Sequence, residues 1–491
     1  MNIVLFNPAP RSGIQVQRRI ELPLSLLCPA APLDRQGYRI KIIDEFANPK
    51  WRRELLETLA QKPICFGVTS MTGPQILHAL EGCKLVKERY PDVPVIWGGV
   101  HASLLPEQTL QNPYPDIIVV GEGEETFPEL VKALESGSPL SNVSGICYKE
   151  DGKVRFTGVR PFVNLDGQPP LPYHFIHMDR YRRRLFGIDH ISFNSSRGCT
   201  YRCSFCWDPV MHKRKWRAMS PETVLDHLSR IIRDYGIRGF LFTDDHFFID
   251  MERACLILEG IVRADLRISI SKLQIRADTL CRLDKAFLQL MVRAGVKRFS
   301  IGIESGSQRV LDLIKKDCSV EEIVEANRKL IPYPIVPVFL FMMGLPTETP
   351  DELAQSIRLA IRLTDENSNA VKTFNIYTPY PGTELYDLAI QLGLKEPQRL
   401  EDWARFNFRN IPRESAWIEP GMRKLIAGLD LPLMFLGKGH FVTPYKKTNP
   451  LVVGLARLYY PVAQYRVKHL NARIPIETKL VRALGLFGRQ D

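Results

Sequence analysis

The chain has 491 residues, and at roughly 150 residues per domain this length predicts about three domains. Hydrophobic residues make up 45% and charged residues 24% of it, so the chain can bury a large core and wholesale disorder is excluded. Its 66 basic and 54 acidic side chains give a formal net charge of +12, which is too diffuse to indicate a nucleic-acid partner.

Short apolar runs rich in β-branched residues alternate with helix-length segments over residues 1–136. The runs are Ile3–Phe6, Arg39–Ile43, Ile64–Val68, Val93–Trp97 and Ile117–Val120. Because strands that alternate with helices build parallel sheets, we predict a Rossmann-like, doubly wound α/β domain here. Ligands of such domains bind outside the carboxyl ends of the strands.

Three loops at these expected carboxyl ends are rich in glycine and polar residues. They contain Ser70 and Thr72; Gly98, Gly99 and His101; and Gly121, Glu122, Gly123 and Glu124. Glycines let a large flat ligand approach the backbone closely. The first run is followed by Asn7–Pro10 instead of G-x-G-x-x-G, which disfavours a nicotinamide or flavin ligand.

Residues 137–190 lack this alternation. Tyr148–Thr157 surrounds a hairpin-like turn at Glu150-Asp151-Gly152, and Leu165–Tyr173 is rich in proline and glycine. We predict a linker that contains a small β element.

A second β/α series occupies residues 191–395. Its candidate strands are Ile191–Ser195, Phe240–Thr243, Lys272–Arg276, Arg298–Ile303, Val336–Met343 and Thr373–Tyr377. Six β/α units in about 200 residues predict a partial TIM-type barrel, (β/α)6, with its functional face at the carboxyl ends of the strands.

Residues 396–491 are predicted to be mostly helical, and their end is basic. Over 451–491 seven Lys and Arg residues stand against two Asp and Glu residues. This region could contact an anionic membrane surface; the alternative is a helical cap packed over the barrel mouth. The sequence shows no long apolar run that predicts a membrane span and no secretory signal, so we expect a cytoplasmic location or one at the inner membrane face.

Three of the ten cysteines, Cys199, Cys203 and Cys206, form C-x3-C-x2-C directly after a candidate strand. Thiolates suit iron–sulfur clusters or zinc, and in a reducing compartment clustered cysteines indicate metal rather than disulfides. Structural zinc requires four ligands, often as two paired knuckles, and the sequence has no second C-x2-C pair. Three thiolates on one loop therefore favour an iron–sulfur cube with one open iron, with zinc as the alternative.

Polar residues end the next three strands of the predicted barrel. They are Asp244 and Asp245, then Arg276, then Glu304 and Ser305. Because these strand ends share the functional face, the acids could pair with an ammonium group or with hydroxyls, and the arginine with a carboxylate. The alternatives are helix capping for the acids and a structural ion pair for the arginine.

The segment Arg197–Cys206, with an aromatic residue before its last cysteine, resembles the signature of the radical S-adenosylmethionine (SAM) superfamily. The resemblance implies that the three cysteines hold a [4Fe–4S] cluster and that the open iron binds the amino and carboxylate groups of SAM. The implied SAM contacts are Phe205 at the adenine, Asp244 and Asp245 at the methionine amine, Arg276 at a carboxylate, and Glu304 with Ser305 at the ribose.

With its N-terminal loops, the chain over residues 1–395 resembles the cobalamin (B12)-binding radical SAM enzymes. These include methyltransferases and the anaerobic magnesium-protoporphyrin ester cyclase, and they carry a cobalamin-binding Rossmann-like domain before the barrel. The implied cobalamin contacts are Ser70, Thr72, Gly98, Gly99, His101, Gly121, Glu122, Gly123 and Glu124. Many cobalamin-binding folds ligate cobalt through the histidine of D-x-H-x-x-G, but Asn7–Gly13 contains no histidine, so the lower axial ligand stays unassigned.

The resemblance implies a cobalamin-dependent methyltransferase that acts on an unactivated carbon, or phosphorus, of a small molecule or lipid. Its electrons would come from a donor such as flavodoxin or ferredoxin. One alternative is non-methylating radical cyclisation or oxidation within the same family. The other is a cobalamin-binding regulator without turnover. No nucleic-acid partner is expected, because the isolated Cys28, Cys65 and Cys83 do not fit the tRNA-methylthiolating group.

Overall fold

The computed structural model describes residues 2–9, 21–406, 415–433 and 450–472. The chain divides into two compact units. The first unit comprises Met1–Arg182 and Glu396–Asn407, and the second comprises Arg183–Lys395 and Phe408–Asp491. Most of the stretch predicted as a linker therefore belongs to the first unit.

A seven-stranded sheet forms the centre of the first unit, in the order β2-β1-β3-β4-β5-β6-β7. Its strands are β1 (Asn2–Asn7), β2 (Arg39–Asp44), β3 (Cys65–Thr69), β4 (Val95–Gly98), β5 (Ile117–Val119), β6 (Ile146–Glu150) and β7 (Lys153–Phe156). The first five are parallel and correspond to the five predicted runs, which confirms the Rossmann-like prediction. The strand order reverses between β1 and β3, and ligands of such sheets bind at that switch point.

Within the described residues, α-helices connect these strands. They are α1 (Leu24–Arg35), α2 (Trp51–Leu59), α3 (Gln75–Arg89), α4 (Val100–Leu104), α5 (Pro106–Gln111) and α6 (Gly123–Ser136). All five residues of β3 are buried, as expected of a central parallel strand that is covered on both faces.

The predicted hairpin forms, but it does not stand apart as a linker element. β6 and β7 pair antiparallel through a two-residue turn, with Glu150 opposite Lys153. β6 also pairs antiparallel with β5, with Ile117 opposite Tyr148. The hairpin thus extends the N-terminal sheet, because the apolar first half of β6, including the buried Ile146, completes the core beside β5.

The second unit contains the predicted partial barrel. Its strands are β8 (Arg183–Leu185), β9 (Ile188–Phe193), β10 (Ser196–Arg197), β11 (Arg217–Ala218), β12 (Gly239–Phe242), β13 (Ser269–Ile275), β14 (Arg298–Glu304), β15 (Val336–Met343) and β16 (Val371–Ile376). The main sheet has the order β16-β15-β14-β13-β12-β9-β8. Six of these strands run parallel and only β8 is antiparallel, which agrees with an open six-stranded barrel.

The helices of this unit follow its strands. They are α7 (Asp208–His212), α8 (Pro221–Tyr235), α9 (Met251–Arg263), α10 (Ala277–Arg282), α11 (Lys285–Arg293), α12 (Gln308–Leu313), α13 (Val320–Leu330), α14 (Pro350–Glu366), α15 (Glu384–Gln391), α16 (Pro420–Leu433) and α17 (Pro450–Lys468). α8 begins as its sequence predicts, because the Ser220 side chain accepts from the Thr223 amide and Pro221 occupies the first turn. Among the described residues, no helix is long and apolar enough to cross a bilayer.

Candidate functional site

The three clustered cysteines lie on the loop between β10 and α7, and all three are half-buried. The loop is pinned from two directions at Ser204, whose amide donates to the Ile314 carbonyl at 3.0 Å and whose carbonyl accepts from the Leu385 amide at 3.0 Å. Gly198 enters the loop with φ +85°, and a Cβ there would fall 2.2 Å from the Lys215 carbonyl oxygen. The backbone therefore fixes this loop without help from a ligand.

The thiols of this loop suit a metal centre. Burial raises the pKa of Cys199 to about 11, and it also raises the pKa of Cys206. The neighbouring Cys203 thiol contributes to the rise in both cases. Such thiols stay protonated at neutral pH, and a bound metal deprotonates them outright. Three soft donors on one tight loop fit the thiolate ligands of an iron–sulfur cluster.

Arg276, at the end of β13, braces this loop. Its Nε donates to Asp278 Oδ1 at 2.9 Å, and its Nη2 donates to the carbonyls of Lys316 and Asp317. Its Nη1 lies 3.8 Å from the Cys203 sulfur. The structure therefore places the predicted arginine beside the cysteines, although most of its donors already have partners in the protein.

Glu304, at the end of β14, is held by a residue that the sequence did not single out. Its Oε1 accepts from Lys316 Nζ at 2.9 Å, and both side chains are at most about a tenth exposed. Lys316 Nζ also lies 5.9 Å from the centre of the Phe205 ring. The predicted Ser305 is fully buried, and its hydroxyl accepts from the Ser307 amide at 3.1 Å. Lys316 falls within a charged run with no spacing signal, so only the fold reveals it.

The two adjacent aspartates after β12 face different groups. Asp244 Oδ1 accepts from the hydroxyls of Ser195 at 2.7 Å and Ser196 at 2.5 Å, and burial raises the pKa of its carboxyl group. Asp245 Oδ2 accepts from the Gly198 amide at 3.3 Å. Asp244 therefore braces the entry to the cysteine loop, and Asp245 contacts the loop itself.

A second acidic residue, which the sequence analysis missed, lies beside Asp245. Burial and the Asp245 charge raise the pKa of Asp208 to about 8. His212 Nε2 is 3.7 Å from Asp208 Oδ1, and Arg217 Nη2 lies 3.1 Å from His212 Nδ1. Because arginine can only donate, Nδ1 accepts and Nε2 carries the proton. The Nε2 hydrogen of His212 therefore faces the Asp208 carboxyl group.

The carboxyl edge of the first unit brings five predicted residues together. The Ser70 amide donates to the Gly98 carbonyl at 3.1 Å, and the His101 amide donates to the Ser70 carbonyl at 3.2 Å. Thr72 Oγ1 lies 3.0 Å from His101 Nδ1. Gly99 has φ +90°, and a Cβ there would fall 2.6 Å from the Ser70 carbonyl oxygen. Gly99 thus lets the loops after β3 and β4 pack directly on each other.

Buried polar atoms without partners mark this edge as incomplete. Among the described residues, Ser70 Oγ, His101 Nε2 and Thr126 Oγ1 are buried and make no hydrogen bond. Each such atom costs about 1–3 kcal/mol if it stays unsatisfied. A Cβ at Gly98 or Gly121 would meet nothing within 4 Å, so there is open space beside the edge. A large flat ligand with several polar groups, as cobalamin is, fits these residues.

The predicted loop after β5 is occupied mainly by contacts within its own unit. Glu122 Oε2 accepts from the Val163 amide at 2.9 Å, and the Gly121 amide donates to Ser103 Oγ at 2.9 Å. Gly123 begins α6, and Glu124 is buried in its first turn. Gly121 thus borders the open space, and Glu122 braces the loop.

A segment from after the barrel completes the first unit, although no sequence pattern predicts this. Trp403 lies on a 3₁₀ helix (Leu400–Arg405) and donates from Nε1 to Gln108 Oε1 at 2.6 Å. Its ring meets the His101 ring edge-on, with centroids 5.6 Å apart. The Phe406 carbonyl approaches Gly73 in the loop after β3. This segment therefore covers His101, next to the atoms that lack partners.

Two known family models match the chain, one in each unit. The model of the radical SAM superfamily matches residues 193–360, which include the cysteine loop and the three strand ends described above. The model of the B12 binding domain matches residues 18–131, which include all three glycine-bearing loops of the first unit.

Individual proteins resemble the chain over most of its length. An uncharacterized methyltransferase of Pyrococcus horikoshii is 32% identical over 397 residues, which cover 80% of this chain and 84% of that protein. The anaerobic magnesium-protoporphyrin IX monomethyl ester cyclase of Cereibacter sphaeroides is 28% identical over 392 residues, 78% of this chain and 62% of the cyclase. The radical SAM methyltransferase TsrM of Kitasatospora setae, solved with cobalamin and a [4Fe–4S] cluster, shares the fold. Its TM-score is 0.70 at 17% identity, over 96% of this chain and 99% of TsrM.

Proposed function

We propose a methyl-transfer reaction for this chain, which belongs to the radical SAM enzymes that carry a B12-binding domain. As a member of that family it is an enzyme whose cofactors are a [4Fe–4S] cluster, SAM and cobalamin. The proposed acceptor is an unactivated carbon, or phosphorus, of a small molecule or lipid. One observation carries the proposal: the chain has both a three-thiol loop and a separate edge whose buried polar atoms lack partners.

When bound, these cofactors supply a 5′-deoxyadenosyl radical that removes a hydrogen atom, and a methyl group carried on cobalt. Cys199, Cys203 and Cys206 would hold the cluster, on a backbone that is already fixed at Ser204. The protein's contribution is to hold and orient the reacting groups and to exclude water.

The proposed SAM contacts surround the cysteine loop. Phe205 would lie against the adenine, and Asp245 is better placed than Asp244 for the methionine amine, because its carboxylate already reaches the loop. Glu304 would accept from the ribose, with Ser305 buried behind it. Arg276 would contact the SAM carboxylate through its remaining Nη1 hydrogen.

The proposed cobalamin contacts are the atoms that lack partners and the open glycines. Ser70 and His101 would hydrogen-bond the polar groups of the cofactor, with Thr72 fixing the His101 ring. Gly98, Gly99 and Gly121 would let its flat face approach the backbone. The remaining members of the proposed set are Glu122, Gly123 and Glu124.

Non-methylating radical chemistry is the second candidate, because the Cereibacter sphaeroides relative is named a cyclase. A cobalamin-binding regulator without turnover is disfavoured, since the complete cysteine motif would then have no use.

Anaerobic turnover distinguishes these candidates. The protein is reconstituted with iron, sulfide and cobalamin, reduced, and given S-adenosyl-[methyl-¹⁴C]methionine with fractionated polar and lipid cell extracts. Methyl transfer predicts a labelled product, with 5′-deoxyadenosine and S-adenosylhomocysteine formed in equal amounts. Cyclisation or oxidation predicts 5′-deoxyadenosine and an unlabelled product, which would refute the methyltransferase proposal. Cys203→Ala serves as the control without a cluster.

We further propose that a low-potential flavodoxin or ferredoxin supplies the electrons and that the enzyme works in the cytoplasm. The electron donor can be tested by replacing the chemical reductant with reduced flavodoxin or ferredoxin in the same assay. If neither reduced flavodoxin nor reduced ferredoxin supports turnover, that result would count against the proposal.

We also propose that α17 contacts an anionic membrane. Leu458, Val462 and Tyr465 lie three and four positions apart on this helix, and each is at least half exposed. The basic residues predicted to assist them after position 472 lie outside the described residues. Sedimentation with phosphatidylglycerol vesicles should fall when all three side chains become serine. Equal sedimentation of the wild type and the triple variant would refute the proposed membrane contact of α17.

A further inference from the structure

Arg276 contacts the metal-binding loop directly, at two of its residues. Its guanidinium carbon lies 3.8 Å above the centre of the Tyr201 ring, within the C-x3-C segment, and its Nη1 lies 3.8 Å from Cys203 Sγ. The side chain is 6% exposed. A charged N–H donor is therefore aimed at one of the three cluster sulfurs in a largely dry environment.

Several contacts hold the guanidinium in this position. Asp278 and the carbonyls of Lys316 and Asp317 accept from it on the side away from the sulfur. Tyr201, which it covers, stacks in turn on His246, with ring centroids 5.5 Å apart and planes 19° apart. Arg276 cannot swing away without breaking these contacts, so its orientation toward Cys203 is built into the fold.

The guanidinium keeps a buried counter-charge in this position. Asp278 Oδ1 accepts from its Nε at 2.9 Å, and both side chains are less than a tenth exposed. Lys316, a second buried cation near the loop, is paired with Glu304. Among these side chains, Arg276 is therefore the cation whose N–H reaches a cysteine sulfur.

We propose that Arg276 is a positioning residue that sets the reduction potential of the cluster through its N–H contact with the Cys203 sulfur. Hydrogen bonds to cluster sulfurs and local charge both tune the potentials of iron–sulfur clusters. One electron from a low-potential donor converts the oxidised cluster to a reduced form with one more negative charge. The guanidinium stabilises that additional charge, so it makes the reduction easier. The inference rests on the cluster of the proposed function.

The test is a potentiometric titration of the reconstituted full-length protein, followed by electron paramagnetic resonance of the reduced cluster. Arg276→Gln should lower the midpoint so that the reduction equilibrium changes at least tenfold, which is ~59 mV for a one-electron couple. Arg276→Lys, which keeps the charge, should recover part of the shift. Arg202→Gln is the matched control, since Arg202 adjoins Cys203 but pairs with Asp317 and is 57% exposed. It should change the equilibrium less than twofold.

Asp278→Asn provides a second variant that does not remove the arginine. It weakens the counter-charge of the guanidinium, so it should shift the midpoint in the opposite direction and make reduction easier. Equal shifts of the midpoint in Arg276→Gln and Arg202→Gln would overturn this inference. So would an unchanged midpoint with an intact cluster in both Arg276→Gln and Asp278→Asn. Either result would leave the proposed function standing. A wild-type protein that binds no cluster would overturn both the inference and the proposed function.

Discussion

The cysteine loop of the second unit and the carboxyl edge of the first unit are both built at the ends of parallel strands, but they differ in how fully the side chains proposed to contact the cofactors are satisfied. Around the cysteines, the proposed SAM contacts Asp244, Glu304 and Arg276 all have partners within the protein, whereas the neighbouring Asp208 keeps two buried oxygens without a hydrogen bond. At the edge of the first unit, Ser70 and His101 each keep a buried polar atom without one.

This difference implies different dependence on the ligand. Asp244, Glu304 and Arg276 are oriented before anything binds, so substitutions at these positions should affect stability and cofactor binding together. The edge of the first unit carries about 1–3 kcal/mol of unsatisfied polarity for each such atom, which a ligand would relieve. Its stability should therefore respond more strongly to cofactor.

The largest effect should come from removing one cluster cysteine, which should affect only one of the two regions. Cys203→Ala should abolish the cluster and all formation of 5′-deoxyadenosine, because two thiolates on a loop cannot hold the cube. Cobalamin binding to the first unit should be unchanged. Iron and sulfide analysis with visible spectroscopy checks both. Cys255→Ala, a half-buried cysteine on α9, is the control and should keep the cluster. Loss of cobalamin in Cys203→Ala would show that the two sites are not separate.

The next effect tests whether the second unit depends on its buried ion pair. Lys316→Met leaves Glu304 buried and unpaired, so it should destabilise the fold by about 3–5 kcal/mol. Adding Glu304→Gln should recover most of the loss. Lys315→Met is the control, because its partner Glu384 is 63% exposed and such pairs contribute about 0–1 kcal/mol. Denaturant unfolding measures these differences, and equal effects of the two lysine variants would contradict the account.

A smaller effect concerns the pH response of the first unit. Burial lowers the pKa of His101 to about 4, from an ordinary value near 6.5. Between these pH values the unfolded chain binds a proton that the folded chain does not, so stability is full above pH 6.5 and falls as the pH drops toward 4. The loss should approach about 3 kcal/mol.

His101→Gln should remove this part of the pH dependence, as measured by denaturant unfolding at a series of pH values. An unchanged acid profile in the variant would show that His101 is not responsible. If cobalamin binds His101 Nε2, adding it should increase the difference in stability between the wild type and His101→Gln.

The smallest effect that we expect comes from removing one hydroxyl group in each unit. Ser70→Ala removes a hydroxyl without a partner, so without cobalamin it should be neutral or slightly stabilising; with cobalamin it should cost about 1 kcal/mol of binding. Ser195→Ala removes a hydroxyl that donates to Asp244, so it should destabilise the protein in both states. Thermal unfolding with and without cobalamin compares them. Equal destabilisation by Ser70→Ala in both states would refute the idea of an incomplete edge.

The sequence predicts the architecture well, because the periodicity of the strands and the turn residues are local signals. The five N-terminal strands and six barrel strands form within a few residues of their predicted ends. The hairpin Ile146–Phe156 also forms, but no local sequence pattern predicts that its first strand pairs with β5. Pairing between distant strands depends on the tertiary core.

The site is less predictable for the same reason. A motif such as C-x3-C-x2-C is visible because three ligands fall on one loop. Lys316 and Trp403 reach the two sites only through the fold, and their neighbours in sequence give no hint of it. Arg276 was predicted from its strand-end position, but its contact with the Cys203 sulfur could not be.

We propose above that three thiolates hold an iron–sulfur cube whose open iron binds SAM. Electron paramagnetic resonance of the anaerobically reconstituted, reduced protein before and after SAM is added tests this directly, with 5′-deoxyadenosine quantified in the same sample. We expect a [4Fe–4S] signal that changes when SAM is added, and 5′-deoxyadenosine that forms in the wild type but not in Cys203→Ala. A cluster signal that SAM leaves unchanged, or a protein that never cleaves SAM, would refute the proposed chemistry.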